Sequence, residues 1–294
     1  MKQIAFLTLA ALSSNATSYE ETLYPNWRQS FTIKHEVFRE KTEIQDLVIF
    51  DNENFGRVLA LDGVIQLTEA DQAIYHEIVA HVPILEHGSV SSVLIVGGGD
   101  GGLLREVVKH KNIQRIVIAE IDPEVIAMSK KYFPSLSNGA FEDPRVSIVI
   151  QDASQYVKDC QEQFDVIISD STDPFGPAQV LFTQEFYGDC KSLLKKGGIF
   201  VNQSGVPFMQ ADELKLTVKN LKPLYKHCTF YTATIPSYVG GPMAFGWASD
   251  KKYRTSEETL RARLENVEGE LYYYTPAVHK ASFALPGYML SMMK

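Results

Sequence analysis

Cysteine is scarce in this chain of 294 residues: there are three, Cys160, Cys190 and Cys228. They are odd in number, widely spaced and form no C-x-x-C pair, which argues against a disulfide framework and a cysteine-bound zinc. Such sparse thiols fit a reducing compartment, so a cytoplasmic protein is expected. Basic residues are also in deficit, 28 Lys and Arg against 36 Asp and Glu, for a net charge of −8. Nucleic-acid affinity is built on basic contacts to phosphate, so nucleic acid is not expected as a partner. An acidic protein instead draws in small cations. No apolar run reaches the roughly 20 residues that span a bilayer, and no membrane partner is expected. Internal repeats, low-complexity tracts, charge blocks and a G-x-S-x-G nucleophile signature are all missing. So are histidines spaced for a zinc helix: His76 and His81 are five apart and diverge by about 140° around a helix. No metal is expected.

What is present suffices for one large domain, or one domain plus a small one: 45% of the residues are hydrophobic. Residues 1–18 read as an N-terminal extension. Lys2, the apolar run 4–12 and Ser14-Asn15-Ala16 resemble a signal peptide; a packing or oligomerisation segment and an upstream start codon are the alternatives. Residues 19–72 read as a small antiparallel β domain. Residues 30–38 alternate as one strand, 46–50 run into the turn Asp51-Asn52-Glu53-Asn54, and 57–61 return through the hairpin signal Asp62-Gly63 to 64–67. Exposed strand edges there predict a homodimer or homotetramer. From Gln72 the period changes, and Ile74, Ile78 and Val82 predict a helix that Pro83 ends. Within 73–294, strand-like runs at 92–96, 115–120, 146–150, 164–169, 197–203, 228–235 and 243–248 alternate with helical ones. That alternation predicts an α/β fold, a Rossmann-like, mostly parallel sheet covered on both faces and ending in an antiparallel hairpin.

Three of these runs deliver carboxylates at their C-terminal ends, where open α/β sheets bind ligands. Val93-Leu94-Ile95-Val96 runs into Gly97-Gly98-Gly99-Asp100-Gly101-Gly102, in which Gly97, Gly99 and Gly102 fit G-x-G-x-x-G before a helical stretch. Glycine allows the tight turn and a close backbone approach. Glu120 ends the next strand and suits both hydroxyls of a ribose. These features alone fit a dinucleotide. Asp100 does not, because its carboxylate sits where the pyrophosphate would lie and opposes the anion preference of a helix N-terminus. A ligand with an ammonium or sulfonium gains there; the alternative for Asp100 is a helix cap. Asp152 either faces an adenine edge or caps the next helix. Asp170 and Asp173 open residues 170–177, whose two prolines and one glycine predict a stiffened turn, not a helix, that closes over a substrate. A metal is the rival occupant, but no histidine stands nearby and the spacing of a calcium loop is missing.

Gly97-Gly98-Gly99-Asp100-Gly101-Gly102, Glu120-Ile121-Asp122 and Asp170-Ser171-Thr172-Asp173-Pro174-Phe175-Gly176-Pro177 resemble the spermidine synthase family, the polyamine aminopropyltransferases, in their bacterial type. So do Tyr19-Glu20-Glu21-Thr22-Leu23, Gln45-Asp46-Leu47, residues 61–66, Tyr75-His76-Glu77, Ile235-Pro236-Ser237-Tyr238 and Ala284-Leu285-Pro286, and the likeness spans nearly the whole chain after Tyr19. The resemblance implies a class I methyltransferase-like sheet. It implies transfer of the aminopropyl group from decarboxylated S-adenosylmethionine, as co-substrate, to putrescine, giving spermidine and 5′-methylthioadenosine, with no resident cofactor and no metal. It implies that Gln45, Glu120, Asp152, Ala153 and Pro177, with Gly97 and Gly99 of the turn, hold the nucleoside. His76 and Asp100 then approach the aminopropyl and amine region, Asp170 accepts the proton, and Ser171, Thr172, Asp173, Tyr75 and Tyr238 line the amine channel. Gln151-Asp152-Ala153 departs from the Gly-Asp-Gly or Asp-Asp-Gly that the family often has around the adenine acid, leaving Ala153 a backbone N–H to offer. Three rival readings share these motifs: an amine N-methyltransferase using the intact cofactor, a spermine or thermospermine synthase, and a polyamine-binding protein without catalysis.

Overall fold

The structure, a computed structural model, describes residues 17–294, so nearly all of the signal-like extension lies outside the described residues. The chain divides into two compact units, one ending at Gln66 and one running from Leu67 to Lys294.

In the first unit β1 (Ser18–Glu20) and β2 (Ser30–Thr32) pair antiparallel. Then β3 (His35–Lys41), β4 (Asp46–Asn52), β5 (Gly56–Leu61) and β6 (Val64–Thr68), the last crossing the division, form a four-stranded sheet in that order. Asp62 and Gly63 both take positive φ, 48° and 83°, as a type I′ hairpin turn requires. Tyr19, Phe31, Val48, Phe50, Val58, Ala60 and Ile65 form the core of this unit. The single strand expected over 30–38 is corrected: it breaks between β2 and β3. The Ile33 N–H donates to Thr17, beside the β1–β2 ribbon, and the Lys34 N–H donates to Asp51 of β4. Consecutive amides serve different sheets, so the chain bends between them.

The second unit begins with α1 (Gln72–His87) and continues β7 (Ser92–Gly97), α2 (Gly102–Val108), β8 (Arg115–Glu120), α3 (Pro123–Tyr132), α4 (Pro134–Ser137), β9 (Val146–Ile150), α5 (Ala153–Asp159) and β10 (Phe164–Asp170). Next come α6 (Gln184–Ser192), β11 (Leu194–Gln203), α7 (Ala211–Leu221), β12 (His227–Ala233), β13 (Met243–Ser249), α8 (Glu257–Leu264), α9 (Pro276–Ser282) and α10 (Gly287–Met292). The sheet order is β12-β13-β11-β10-β7-β8-β9. Strands β7 to β11 run parallel, and β13 and β12 close the sheet antiparallel, as the sequence predicts.

Period-2 alternation divides each central strand between two cores. Val93 and Ile95 pack with Ile78 of α1 and Leu103 of α2, whereas Leu94 and Val96 pack with Val157 of α5 and Phe186 of α6. Strands buried on both faces have no polar side to present, which is why these runs read as unbroken Val, Ile and Leu. Each such buried side chain contributes about 1.5–3 kcal/mol. From β7 the chain builds outward to β8 and β9, then returns to add β10 and β11 on the other side. The reversal falls between β7 and β10, where Gly97 and Asp170 are register partners, and ligands in open α/β sheets bind at that reversal.

Two further expectations are corrected. Helix α1 does not end at Pro83 but runs to His87, where Gly88 (φ 79°) caps it by donating its N–H to Ile84. Proline removes one ladder bond and crowds the preceding turn, yet residues 75–86 are all buried, and packing on both sides holds the helix through it. Residues 170–177 are only partly an irregular turn, because Gly176 and Pro177 open a 3₁₀ helix, Gly176–Phe182. Proline in a first turn loses no hydrogen bond. No helix among the described residues is long and apolar enough to cross a membrane.

Candidate active site

The glycine turn after β7 is pressed between Asp170 and His76. The Gly98 N–H donates to the Asp170 carbonyl at 3.0 Å. A Cβ on Gly97 would lie 2.1 Å from that oxygen, and one on Gly102 would lie 2.2 Å from the His76 imidazole. Only glycine lets both approach so closely.

Glu120, buried at the end of β8, accepts the Gly99 N–H at Oε2 (3.1 Å) and the Asp122 N–H at Oε1 (3.0 Å). Burial pushes its pKa up to about 7. Donors that favour the charged form, such as a vicinal diol, pull a pKa of this kind down.

The neighbours of His76 favour its protonated form. Arg105 Nη2 donates to Gln72 Oε1 at 3.1 Å, and His76 Nδ1 stands 2.9 Å from the same oxygen. Nδ1 therefore carries a hydrogen. Nε2 faces Asp100 Oδ2 at 3.5 Å, and a ring protonated at both nitrogens can donate there. Burial opposes the charge on both partners, but the pairing outweighs it: the His76 pKa rises and that of Asp100 falls. The other Asp100 oxygen accepts the Gly102 N–H at 2.6 Å within the turn, while the cap position of α2 is Gly101, without a side-chain cap.

Asp170 is buried beside this pair. Tyr75 Oη donates to its Oδ1 at 2.6 Å. Burial first, then the charge of Asp100, push its pKa up to about 6, against the opposing pull of His76 and Tyr75. Asp173 accepts from Gln203 Nε2 (3.4 Å) and Gln210 Nε2 (3.1 Å), and burial raises its pKa. Tyr238 meets Tyr75 edge-on, ring centres 6.1 Å apart. Burial and then the charges of Asp71, Asp170, Asp100 and Asp173 hold its hydroxyl well above the usual pKa. Acids, a glycine turn and two tyrosines thus converge at the sheet's reversal, an arrangement suited to an organic cation.

The remaining sequence candidates are less tightly joined to that centre. Asp152 caps α5 by accepting from Ser154 N (2.7 Å), with Ala153 next to it; the adjoining Gln151 N–H donates to the Glu120 carbonyl at 2.9 Å. Thr172 offers its carbonyl to Gln203 at 3.2 Å. The Ser171 hydroxyl is buried without a hydrogen-bond partner. Pro177 is exposed in the first turn of the 3₁₀ helix. Gln45 belongs to the first unit, in the turn between β3 and β4, where its N–H donates to Thr42 Oγ1 at 3.0 Å. His81 serves a separate buried cluster with His110 (2.9 Å) and Glu106 (3.1 Å). Among the described residues no group of three or more His, Cys, Asp or Glu is disposed to hold a metal ion.

A family described as the spermine/spermidine synthase domain matches residues 72–258, and one described as the spermidine synthase tetramerisation domain matches residues 17–69. The chain belongs to the spermine/spermidine synthase family. It is 50% identical to polyamine aminopropyltransferase 1 of Pseudomonas aeruginosa over 276 residues, 93% of this chain and 96% of that one. It is 51% identical to a polyamine aminopropyltransferase of a Ruegeria species over 271 residues, 92% and 95% of the two chains. Spermidine synthase from Thermotoga maritima superposes with a TM-score of 0.86 at 35% identity, covering 94% of each chain. A spermidine synthase in complex with the transition-state analogue AdoDATO does so with the same values.

Several residues at this synthase-family site escaped the sequence reading. Gln72 and Arg105, which meet at the amide oxygen facing His76 Nδ1, lie on α1 and α2 and announce nothing by spacing. Gln203 was findable: it ends β11, parallel to β10, so it emerges on the same edge as Asp170. Gln210 and Glu213 arrive from the start of α7 and meet Asp173 only through the fold.

Proposed function

We propose that the chain transfers an aminopropyl group from decarboxylated S-adenosylmethionine to putrescine, forming spermidine and 5′-methylthioadenosine. In this step the amine nitrogen bonds to the methylene beside sulfur, the C–S bond breaks, sulfur leaves as a neutral thioether, and the amine proton passes to Asp170. A sulfonium is already an activated leaving group, so the chemical demand is a deprotonated, aimed amine. The observation that carries the reading is Asp170 at the sheet's reversal, with a pKa of about 6, held by Tyr75 and next to Asp100. A base poised near neutral pH suits proton transfer from an amine, and holding both reactants in line supplies much of the rate.

On this reading Glu120, Asp152, Ala153, Gly97, Gly99, Pro177 and Gln45 serve the nucleoside. Asp100 and His76 serve the aminopropyl group, and Tyr75, Tyr238, Ser171, Thr172 and Asp173 serve the amine. The domain reading is a β domain over 19–72 and a catalytic domain over 73–294 after an extension over 1–18; the compact units divide instead between Gln66 and Leu67, and Ser18 already belongs to β1. A homodimer or homotetramer is in keeping with the tetramerisation domain matched at residues 17–69, and a cytoplasmic location with the sparse cysteines. The test offers purified protein decarboxylated S-adenosylmethionine with putrescine, cadaverine or spermidine and weighs the products. Spermidine formed preferentially from putrescine is expected; equal use of spermidine as acceptor contradicts the assignment.

The ribose role of Glu120 has a pH signature. A diol binds the ionised carboxylate, so affinity for 5′-methylthioadenosine is expected to be full above pH about 7. It should fall as pH drops through that value, approaching tenfold per pH unit. Calorimetric titration across that range reads it out, and Glu120→Gln should flatten the profile. An affinity independent of pH in the unaltered protein contradicts the role.

A further inference from the structure

Consecutive residues of α1 address the two central acids. Tyr75 donates to Asp170 at 2.6 Å, and His76 faces Asp100 at 3.5 Å. The charge of Asp100 pushes the Asp170 pKa up and His76 pulls it down, so both buried acids share one imidazole. Behind that imidazole lies a brace that the chemical step does not use. Gln72 Oε1, one turn earlier on α1, stands 2.9 Å from His76 Nδ1 and accepts from Arg105 Nη2 of α2 at 3.1 Å. Arginine only donates, so the atom it meets is the amide oxygen. Arg105 Nε donates in turn to Glu106 Oε1 at 2.7 Å. Glu106 is fully buried, and its other oxygen meets Lys109 Nζ at 2.7 Å and His81 Nε2 at 3.1 Å. Burial opposes the Glu106 charge, but His81, Lys109 and Arg105 outweigh it and hold the carboxyl far below its usual pKa.

We propose that Gln72 is a positioning residue for His76. Its amide oxygen, pinned through Arg105 by Glu106, keeps a hydrogen on Nδ1 and leaves Nε2 to Asp100, so that one imidazolium lets Asp100 and Asp170 be ionised side by side. The inference rests on the aminopropyl-transfer reading, in which Asp100 serves the donor and Asp170 the amine, and it names what keeps both charged. The groups facing His76 are Asp100 of the glycine turn, Asp170 of β10, Arg105 of α2, and Gln72 and Tyr75 of its own helix. Burial and the Arg105 charge oppose protonation of the ring, and the two acids favour it. A neutral ring has one hydrogen to place. With no acceptor at Nδ1, that hydrogen could sit on Nε2 and still serve Asp100. Gln72 removes this alternative, because it calls for a hydrogen at Nδ1 as well, and a ring protonated at both nitrogens serves both partners. Glu106 offsets the Arg105 charge, so the arginine pins the amide at less cost to the imidazolium.

The experiment reads His76 directly, by NMR of enzyme labelled in the imidazoles of its seven histidines; the His76 resonance is the one lost in His76→Gln. It compares the unaltered enzyme with Gln72→Met, which keeps the length of the side chain and removes the acceptor, and Gln72→Glu, which keeps the acceptor and adds a charge. His76 is expected to lose its second hydrogen at lower pH in Gln72→Met and at higher pH in Gln72→Glu than in the unaltered enzyme. The rate at low putrescine should follow. At pH about 6, Gln72→Met should lose about three- to tenfold, since one pK unit is tenfold in the charged fraction, and the loss should vanish at alkaline pH. Gln72→Glu should keep the acid limb where it is. A merely structural role lowers the rate alike at every pH and moves the His76 titration the same way in both variants; either result overturns the inference. So does a His76 titration unmoved in Gln72→Met. If that variant does not fold, Gln72→Glu decides: an upward shift supports the inference and an unmoved titration overturns it. The resonance needs no turnover, so an unaltered enzyme that transfers no aminopropyl group overturns the transferase reading, while the titration still decides the role of Gln72.

Discussion

Asp170→Asn is expected to lower turnover about 10²–10⁴-fold at saturating putrescine, the range for loss of a positioned general base. Asparagine keeps the shape at the end of β10. The Tyr75 hydroxyl still finds an oxygen where it now donates at 2.6 Å, and the backbone carbonyl still meets the Gly98 N–H. What disappears is the acceptor that the proposed mechanism gives the amine proton. Nucleoside affinity should change little, since Glu120 lies on β8 and Asp152 after β9. Asp173→Asn should instead raise the putrescine requirement. On the proposed role, the same group is expected to set the acid limb of the pH profile. Its folded pKa is raised to about 6, so the reactive carboxylate is lost as pH falls through that value, and the rate at low putrescine should fall with it. Steady-state kinetics of the two variants read all of this; near-normal turnover in Asp170→Asn contradicts the assignment.

The second large effect is on stability. Glu77 is 2% exposed, one residue beyond His76 on α1. It gathers three consecutive backbone N–H groups of the C-terminal segment: Tyr272 at 2.7 Å, Tyr273 at 2.8 Å and Tyr274 at 2.7 Å. Glu77→Ala orphans all three. Each buried unpaired donor costs about 1–3 kcal/mol; water satisfies some of the Tyr272 end, so a total loss of roughly 3–5 kcal/mol is expected. Glu77→Gln keeps one acceptor oxygen but turns an NH₂ toward a backbone N–H, and should fall in between. Denaturant unfolding monitored by circular dichroism gives both values, and a change below about 1 kcal/mol in Glu77→Ala contradicts the anchoring role.

Wherever one local rule governs, the sequence was legible. Unbroken apolar runs mark strands buried on both faces; the last residues of two of them, Gly97 and Asp170, fell where the sheet reverses, and Glu120 ends the neighbouring β8. Asp62-Gly63 had one low-energy way to turn. Pro83 was misread because tertiary packing around α1 outweighs a local penalty. The 30–38 run was misread because alternation cannot reveal that one end pairs with β1 and the other with β4. Glu77 was visible only as part of a family motif, and its three acceptor bonds came from residues nearly two hundred positions away. The Gln210–Glu213 arm was invisible for the same reason: α7 reaches Asp173 across the fold, and a Gln and a Glu in the first turn of a helix ordinarily read as solvated charge and capping. Asp152 offered two readings; its cap is formed, and an adenine contact is compatible with it.

The measurement that tests the central claim most directly is a competition for the donor. Purified enzyme receives putrescine with equal concentrations of decarboxylated and intact S-adenosylmethionine, and the products are weighed. An acid-lined turn centred on Asp100 predicts spermidine and 5′-methylthioadenosine from the decarboxylated donor, no methylated putrescine, and a loss of about 10- to 100-fold in affinity for that donor in Asp100→Asn. Methylated putrescine, or equal use of the two donors, would contradict the account.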